Sequence, residues 1–184
     1  SCQLIDAEGD IRLVRPTGRS LSPLYLFGAG HVGRAIVNAM DSLPFEIAWI
    51  DSRPEIFPEF LPDNVIPRPA LDPLSEVGRA PAGAFFLVMT HEHDQDEQIC
   101  ERILIRGDFA YLGLIGSETK VRRFRMRLGG RDIPHLDRLI CPIGLPGIQS
   151  KEPAIIAASV AADLLQRREH LQTKRSVTLG NATS

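Results

Sequence analysis

The chain has 184 residues, of which 43% are hydrophobic and 24% charged, a composition that fits one folded domain and excludes a disordered chain. Its formal net charge of −2 gives no reason to expect a nucleic acid or a membrane surface as partner, and its apolar runs are too short to span a bilayer. The three cysteines form no CxxC pair and no basic, apolar leader opens the sequence, so we expect reduced thiols and a cytoplasmic location.

The first residues differ from the rest of the chain because they are mostly polar. The stretch from Leu4 to Val14 is compatible with a small hairpin that turns at Glu8–Asp10. We interpret residues 1–23 as a lead-in or as the remnant of an upstream domain. Residues 24–170 form the predicted main domain, and residues 171–184 are expected to be a flexible tail.

A glycine-rich turn follows the first apolar run, Leu24–Phe27, and opens an amphipathic segment. Gly28 permits a sharp change of direction, Gly30 lets backbone approach a pyrophosphate, and Gly33 lets a helix pack closely on the strand. About 20 residues later a second apolar run ends at Asp51, where the acid of a dinucleotide-binding βαβ unit reaches the ribose hydroxyls. The pattern predicts such a unit, with an anion at the helix N-terminus.

Strand-like and helix-like segments then alternate along the chain. Apolar residues at helical spacing predict a helix from Val32 to Leu43 that Pro44 ends. The proline-rich residues 54–83 are expected to form an irregular crossover around a short strand at Val65–Ile66. Beyond it, the pattern predicts strands at 84–89, 111–115 and 139–141, and helix faces at 99–104, 121–128 and 153–166. This alternation predicts an α/β fold, a Rossmann-like, doubly wound and mainly parallel sheet of about five or six strands with helices on both faces.

In such sheets ligands bind beyond the carboxyl ends of the strands, and the segment 90–96 follows one of them. It holds His91 and His93 among several acidic residues. Two imidazoles there are compatible with a metal site, with proton transfer or ligand contact, or with a plain helix start capped by Thr90. Because a zinc site normally needs three protein ligands, we predict no metal and keep ligand contact as the working hypothesis.

Three further features lie at the same predicted rim. Ser117 is a helix cap, and the first turns after it carry five cations that suit a phosphate or an acidic partner, or form a solvated face: Lys120, Arg122, Arg123, Arg125 and Arg127. Cys141 begins a loop of prolines and glycines, where it is compatible with a soft ligand, a sulfur acceptor or a small buried hydrophobe. His31, inside the glycine turn, is placed to touch a phosphate or to stack at the rim.

Five motifs occur in order along the chain: Leu24–Ala35, Trp49–Arg53, Met89–His93, Tyr111–Ser117 and Cys141–Leu145. Together they resemble the xanthine dehydrogenase accessory protein family, known as XdhC/CoxI, over roughly residues 24–166. The resemblance implies the Rossmann-like domain of a protein that binds molybdenum cofactor, promotes its sulfuration and hands it to xanthine dehydrogenase or a related molybdenum hydroxylase. The partners it implies are that enzyme and a cysteine desulfurase. The chain departs from the family pattern at its start, since family members carry another domain before the glycine motif.

Molybdenum cofactor is a pterin with a phosphate, so its site must accept an anion beside a flat ring. We predict that the rim residues hold it, namely Gly28, Gly30, His31, Gly33, Asp51, Arg53, His91, His93, Ser117 and Cys141. Catalytic residues are not assigned, because the favoured interpretation is a non-catalytic cofactor chaperone.

Two other functions fit the βαβ pattern. An NAD(P)-dependent oxidoreductase usually adds a substrate domain, and no segment after residue 170 is long enough to be one. A nucleotide-sensing module without chemistry needs no such domain and stays open. A homodimer is compatible with the sequence, although no apolar stripe specifies one.

Overall fold

The computed structural model describes residues 2–5, 11–14, 21–129 and 132–181. Strands β1 (Cys2–Ile5) and β2 (Ile11–Val14) pair antiparallel, with Leu4 opposite Arg12. They match the predicted hairpin, whose turn at Glu8–Asp10 lies outside the described residues. Whether residues 1–23 are the remnant of another domain stays a prediction.

The main sheet has six strands, all parallel, in the order β5-β4-β3-β6-β7-β8. The strands are β3 (Ser22–Phe27), β4 (Phe45–Asp51), β5 (Val65–Pro69), β6 (Phe85–Val88), β7 (Tyr111–Leu114) and β8 (Leu139–Ile140). The strand that ends at Phe27 is central, with Leu24 opposite both Ile47 and Phe85. The strand order reverses between β3 and β6, which is where sheets of this kind form their binding crevice. The doubly wound parallel sheet predicted from the sequence is confirmed.

Helices cover both faces of this sheet. They are α1 (His31–Ala39), α2 (Pro73–Arg79), α3 (His93–Arg106), α4 (Glu118–Gly129) and α5 (Pro153–Asn181). Leu26 packs in one apolar cluster with residues of α1 and α5, while its neighbour Phe27 packs in the other with residues of α2, α3 and α4. Because successive side chains of a strand point to opposite faces, strands buried on both faces are apolar at successive positions, as in Leu24–Phe27 of β3 and throughout β6.

Strand β5 is longer than the short strand predicted at Val65–Ile66, and the position of its prolines at the edge of the sheet explains how it tolerates them. It continues past Val65–Ile66 to Pro69 and forms the edge of the sheet beside β4. Ala70 N–H donates to Asp51 O, and backbone groups alternate in direction along a strand, so the nitrogens of Pro67 and Pro69 face the open edge. A missing N–H is harmless there, and it discourages pairing with another strand.

The crossover expected to be irregular contains helix α2. Asp72 is its N-cap and accepts a hydrogen bond from Leu74 N–H at 3.1 Å, while Pro73 occupies the first helical position. Both residues are recognised helix-start signals. The abundance of proline across 54–83 concealed them.

Two other helices differ from their predicted limits. Helix α1 ends at Ala39 rather than near Leu43, and the residues 40–42 that follow form a turn in which Ser42 has a φ of 62°. Helix α5 runs on past Gln166 to Asn181, where polar contacts four residues apart support it, among them Asp163 with Arg167. The flexibility expected of residues 171–184 stays a prediction, and 182–184 lie outside the described residues.

Candidate functional site at the carboxyl end of the sheet

The glycine turn after β3 fits tightly against its neighbours. Gly28 has a φ of +111°, and a Cβ built there would lie 2.2 Å from the Met89 carbonyl oxygen. A Cβ at Gly33 would lie 2.2 Å from the Gly28 carbonyl oxygen, which also accepts a hydrogen bond from Trp49 Nε1 at 3.1 Å. Neither position has room for a side chain, so both glycines are needed where β3, β6 and α1 meet.

Gly30 differs from those two glycines because space opens in front of it. Within the described part of the chain, no heavy atom apart from its own sequence neighbours lies within 4 Å of a Cβ built there. Gly30 is the N-cap of α1, its carbonyl accepts from Arg34 N–H at 2.9 Å, and His31 stands exposed at the first helical position. The N–H groups and the positive end of the helix dipole therefore face accessible space, which is what an anion needs. A phosphate contact of His31 stays a prediction.

Asp51 ends β4 with its carboxylate buried beneath the turn. Its Oδ2 accepts from Ala29 N–H at 2.7 Å and from Arg53 Nη2 at 3.0 Å. Its Oδ1 accepts from the backbone N–H of Arg53 at 3.1 Å and from Arg53 Nε at 2.9 Å. The predicted site residues Asp51 and Arg53 thus form a bidentate ion pair that also anchors the glycine turn.

The charge of Asp51 is stabilised by these donors. Burial acts to raise the pKa of the carboxyl, but the Arg53 guanidinium and the N–H groups of Ala29 and Arg53 outweigh it and lower the pKa below its ordinary value. The same hydrogen bond raises the pKa of Arg53. The pair is ionised throughout the neutral range.

The segment after β6 brings one buried carboxylate and two exposed imidazoles to the rim. Asp96 is fully buried, and its Oδ1 accepts from both Thr90 N–H and Thr90 Oγ1 at 2.8 Å. This bond ties the start of α3 back to the end of β6. His91 and His93 are exposed, and His91 Nε2 lies 3.3 Å from the Glu92 carboxylate. Neither ring is buried in the core, His93 lines a cleft at the rim, and the contact of either ring with a ligand stays a prediction.

An apolar cleft of about 630 Å³ opens beside the glycine turn, on the face of the sheet that α1 and α5 cover. Val32, Ile143, Ile148 and Ile156 supply its apolar walls, and Ser117, Lys151 and Ser159 are among its polar lining. A cavity of this size with a few converging polar groups is typical of small-molecule sites.

A second, basic cleft lies across the segment 115–117 from the first, since these residues line both. It is bounded by His93 and Glu97 of α3 and by Thr119, Arg123 and Arg127 of α4. Arg127 donates to Glu97 at 3.0 Å, and both Arg123 and Arg127 are exposed. Arg122 is exposed as well, and the side chains of Lys120 and Arg125 lie outside the described part of the molecule.

Cys141 begins the loop that closes the apolar cleft. Its Sγ lies 4.0 Å from the Gly116 carbonyl oxygen, at the limit of a weak hydrogen bond, and the side chain is half-buried. A cis peptide bond joins Cys141 to Pro142. Further along, Leu145 N–H donates to Ser159 Oγ at 2.8 Å and so fixes the loop to α5. Cys141 therefore lies next to the cleft and is not among the residues that line it.

The described residues contain no cluster suited to a metal ion. Within 2–5, 11–14, 21–129 and 132–181, no three His, Cys, Asp or Glu side chains lie close enough together to hold a metal ion.

Among those same residues, no helix combines the length and the hydropathy that crossing a bilayer requires.

Sequence reasoning missed several residues of this rim. Lys151 and Ser159 line the apolar cleft, and Arg34 donates from Nη2 to the Ile56 carbonyl oxygen at 2.9 Å, in the turn that follows Arg53. Arg34 follows Gly33 inside a recognised motif, which was a usable signal. Nothing local marks Lys151 or Ser159, because only the fold brings α5 and the loop before it to the rim.

Comparison with known proteins gives three consistent matches. The model of the family described as the XdhC Rossmann domain matches residues 24–164. An Escherichia coli K12 protein named as uncharacterized protein YqeB is 35% identical over 148 residues, which is 78% of this chain and 27% of that protein. A Bacillus subtilis 168 protein, named as a probable component of xanthine dehydrogenase, is 31% identical over 153 residues, or 80% of this chain and 43% of that one.

A solved structure agrees with these sequences. The crystal structure of a xanthine dehydrogenase from Bacillus halodurans superposes with a TM-score of 0.65 at 27% identity, covering 82% of this chain and 43% of that one. The chain thus spans less than half the length of each of these relatives.

Proposed function

Because the chain belongs to the XdhC family through its Rossmann domain, we propose that it assists the maturation of xanthine dehydrogenase or a related molybdenum hydroxylase. Its cargo in this proposal is molybdenum cofactor, which it holds, supports during sulfuration by a cysteine desulfurase, and passes on. The relatives named as xanthine dehydrogenase proteins support the choice of partner. The cytoplasmic location expected from the sequence suits this role and stays a prediction.

The observation that carries the proposal is the position of the apolar cleft beside the open N-terminus of α1. A pterin is a flat ring system with polar edges, which matches apolar walls such as Ile143 and Ile156 with Ser117 and Ser159 between them. The cofactor's phosphate would be held by the amide groups that follow Gly30, and Lys151 adds a positive charge at the mouth. The residues present therefore fit the cargo.

A cargo protein must also release the cofactor, and the apolar cleft is suited to weak, reversible binding. It is open to solvent, and no strong bidentate clamp lies among its described lining residues, unlike the Asp51–Arg53 pair. A ligand held by apolar contact and a few hydrogen bonds dissociates faster than one held by several charge-assisted bonds. Cys141, next to the cleft, is the thiol we propose to meet the sulfuration partner.

The test compares two isoleucines of similar exposure. Ile148 lines the apolar cleft and is 48% exposed, whereas Ile105 is 55% exposed on α3 and does not line it. Ile148→Asp places a negative charge beside an anionic cargo, so we expect it to weaken binding at least about tenfold, equivalent to about 1.4 kcal/mol. Ile105→Asp should bind like the parent.

The readouts are cofactor retained by the purified chain and activity restored to cofactor-free xanthine dehydrogenase. The proposal requires that the parent chain binds cofactor and restores activity, and that Ile148→Asp loses both while keeping its circular dichroism spectrum. Failure of the parent chain to bind cofactor, or equal binding by both variants, would reject it.

A further inference from the structure

The acceptor positions of the Asp51 carboxylate are already occupied by hydrogen-bond donors of the chain itself. Oδ1 and Oδ2 each accept two hydrogen bonds, three of the four donors belonging to Arg53 and the other being Ala29 N–H. A carboxylate offers about four lone-pair positions. A ribose hydroxyl can therefore donate to Asp51 only after the Arg53 guanidinium has left it.

Arg53, in contrast, keeps N–H groups that no described residue occupies. A guanidinium carries five N–H groups, and the one on Nε and one of those on Nη2 donate to Asp51. Three remain, on a side chain that is 37% exposed and fixed in direction by two parallel bonds. A planar fork that is already ordered is suited to bidentate binding of a phosphate.

A second guanidinium contacts the turn that follows Arg53. Arg34, exposed on α1, donates to the carbonyl oxygen of Ile56, in the short 3₁₀ turn Pro54–Ile56 that directly follows Arg53. Asp51 balances the charge of Arg53, and Arg34 adds one further positive charge to this end of the rim. Glu55, exposed in that turn, opposes it and is close enough to act on the charge of Arg53.

We propose that this end of the rim binds a nucleotide with a phosphate monoester on its ribose, and that Arg53, held by Asp51, recognises that phosphate. The end of β4 is where the ribose of a nucleotide lies in a doubly wound sheet, and a nearby arginine accommodates a phosphate on it. This inference goes beyond the proposed function, because its ligand is not molybdenum cofactor. NADP and coenzyme A share the required chemistry, on the 2′ and the 3′ oxygen respectively.

Two pairs of ligands isolate the phosphate. NADP⁺ differs from NAD⁺, and coenzyme A from dephospho-coenzyme A, by that monoester alone. Calorimetric titration of the full chain should show the phosphorylated member of at least one pair binding about tenfold tighter or more, the value of one or two charge-assisted hydrogen bonds. The pair that shows the preference identifies the 2′ or the 3′ phosphate. Equal or reversed preference in both pairs, or no binding of any of the four, overturns the proposal.

Substitution of Arg53 gives a second test in which the two members of a pair respond in opposite directions. Arg53→Ala removes the phosphate contact but leaves Asp51 its two backbone donors, so the fold is retained. It should weaken the binding of NADP⁺ and strengthen the binding of NAD⁺, because the freed carboxylate can now accept hydrogen bonds from the ribose hydroxyls. Arg53→Gln should change the two affinities in the same directions. Glu55→Gln should increase the affinity for NADP⁺.

The control is Arg102→Ala, which removes an exposed arginine in the second half of α3. It should leave all four affinities unchanged. If Arg53→Ala weakens NADP⁺ and NAD⁺ equally, Arg53 only supports the glycine turn and the assignment is overturned. None of these titrations contains molybdenum cofactor, so their failure leaves the proposed function standing.

Discussion

The two ends of the rim offer a ligand different physical surroundings. At the Asp51 end, charged groups lie in fixed directions, since Asp51 holds Arg53 by two parallel hydrogen bonds and Ala29 by another. At the other end, the apolar cleft offers volume and shape, with Ser159 Oγ already committed to Leu145 N–H. Substitutions at the first end should change which charge pattern binds. Those at the second should change how much room a ligand has.

The glycine turn joins the two ends, and the largest effect is expected there. Gly28→Ala should destabilise the chain by about 2–4 kcal/mol, because its Cβ meets Met89 O at 2.2 Å and its φ is +111°. Gly30→Leu should change stability by less than about 1 kcal/mol, since its side chain enters open space. Urea unfolding measures both.

Gly30→Leu should nevertheless abolish binding of phosphorylated ligands, because its side chain covers the N–H groups of α1. Titration with the ligand that binds the parent best measures this. Unchanged affinity in a folded Gly30→Leu chain would show that ligands do not approach the turn.

A moderate effect is expected where the apolar cleft is closed. Ser159→Ala leaves Leu145 N–H without its acceptor and should lower the free energy of unfolding by about 1–2 kcal/mol. Ser75→Ala is the matched control, because Ser75 Oγ donates to Asp72 O on the exposed surface and its loss should be worth less than about 0.5 kcal/mol. Equal losses would mean that the loop does not depend on α5.

The Asp51 end carries a pH dependence of the free energy of unfolding. The pKa of Asp51 is lowered in the folded chain, so its ionised form contributes stability above its ordinary value of 3.8, and this is lost as pH falls through the lower folded value. Arg53→Ala should therefore be about 1 kcal/mol less stable than the parent at pH 7. This difference in the free energy of unfolding should narrow below pH 4. A gap that is constant from pH 7 to pH 2.5 would contradict the ion pair.

The smallest effect is expected at the exposed arginines beside the basic cleft. Arg122→Ala with Arg123→Ala should change stability by less than about 0.5 kcal/mol. If this surface meets the target enzyme, the double variant should slow activation at low salt and matter less at high salt. Activation equal to the parent at every ionic strength would leave these residues as a solvated helix face.

The sequence was sufficient for the parts of the fold that depend on local pattern. The apolar strands, the turn at Gly28 and the position of Asp51 all follow from periodicity and spacing. Helix α2 was missed although Asp72 and Pro73 indicate its start, since the neighbouring prolines favoured an irregular segment. The edge strand was cut short at Ile66 because only the fold shows that Pro67 and Pro69 face an open edge.

The candidate site was less predictable because it depends on side-chain direction and on distant contacts. The spacing locates Asp51 but not its pairing with Arg53, which depends on rotamers. The apolar cleft forms only when the loop after Cys141 folds onto α5, through a bond from Leu145 to Ser159. Lys151 reaches the rim by the same route.

Anomalous X-ray scattering at the molybdenum edge, from crystals of the chain soaked with molybdenum cofactor, decides whether the cargo lies at this rim. We predict a peak beside the apolar cleft, within reach of Ser117 and Lys151. A further pocket, at the amino end of the sheet beside Pro23, Phe109 and Arg168, provides the internal comparison. A peak in that pocket, or none at the carboxyl end in crystals whose solution sample binds cofactor, would contradict the assignment of the rim as the cargo site.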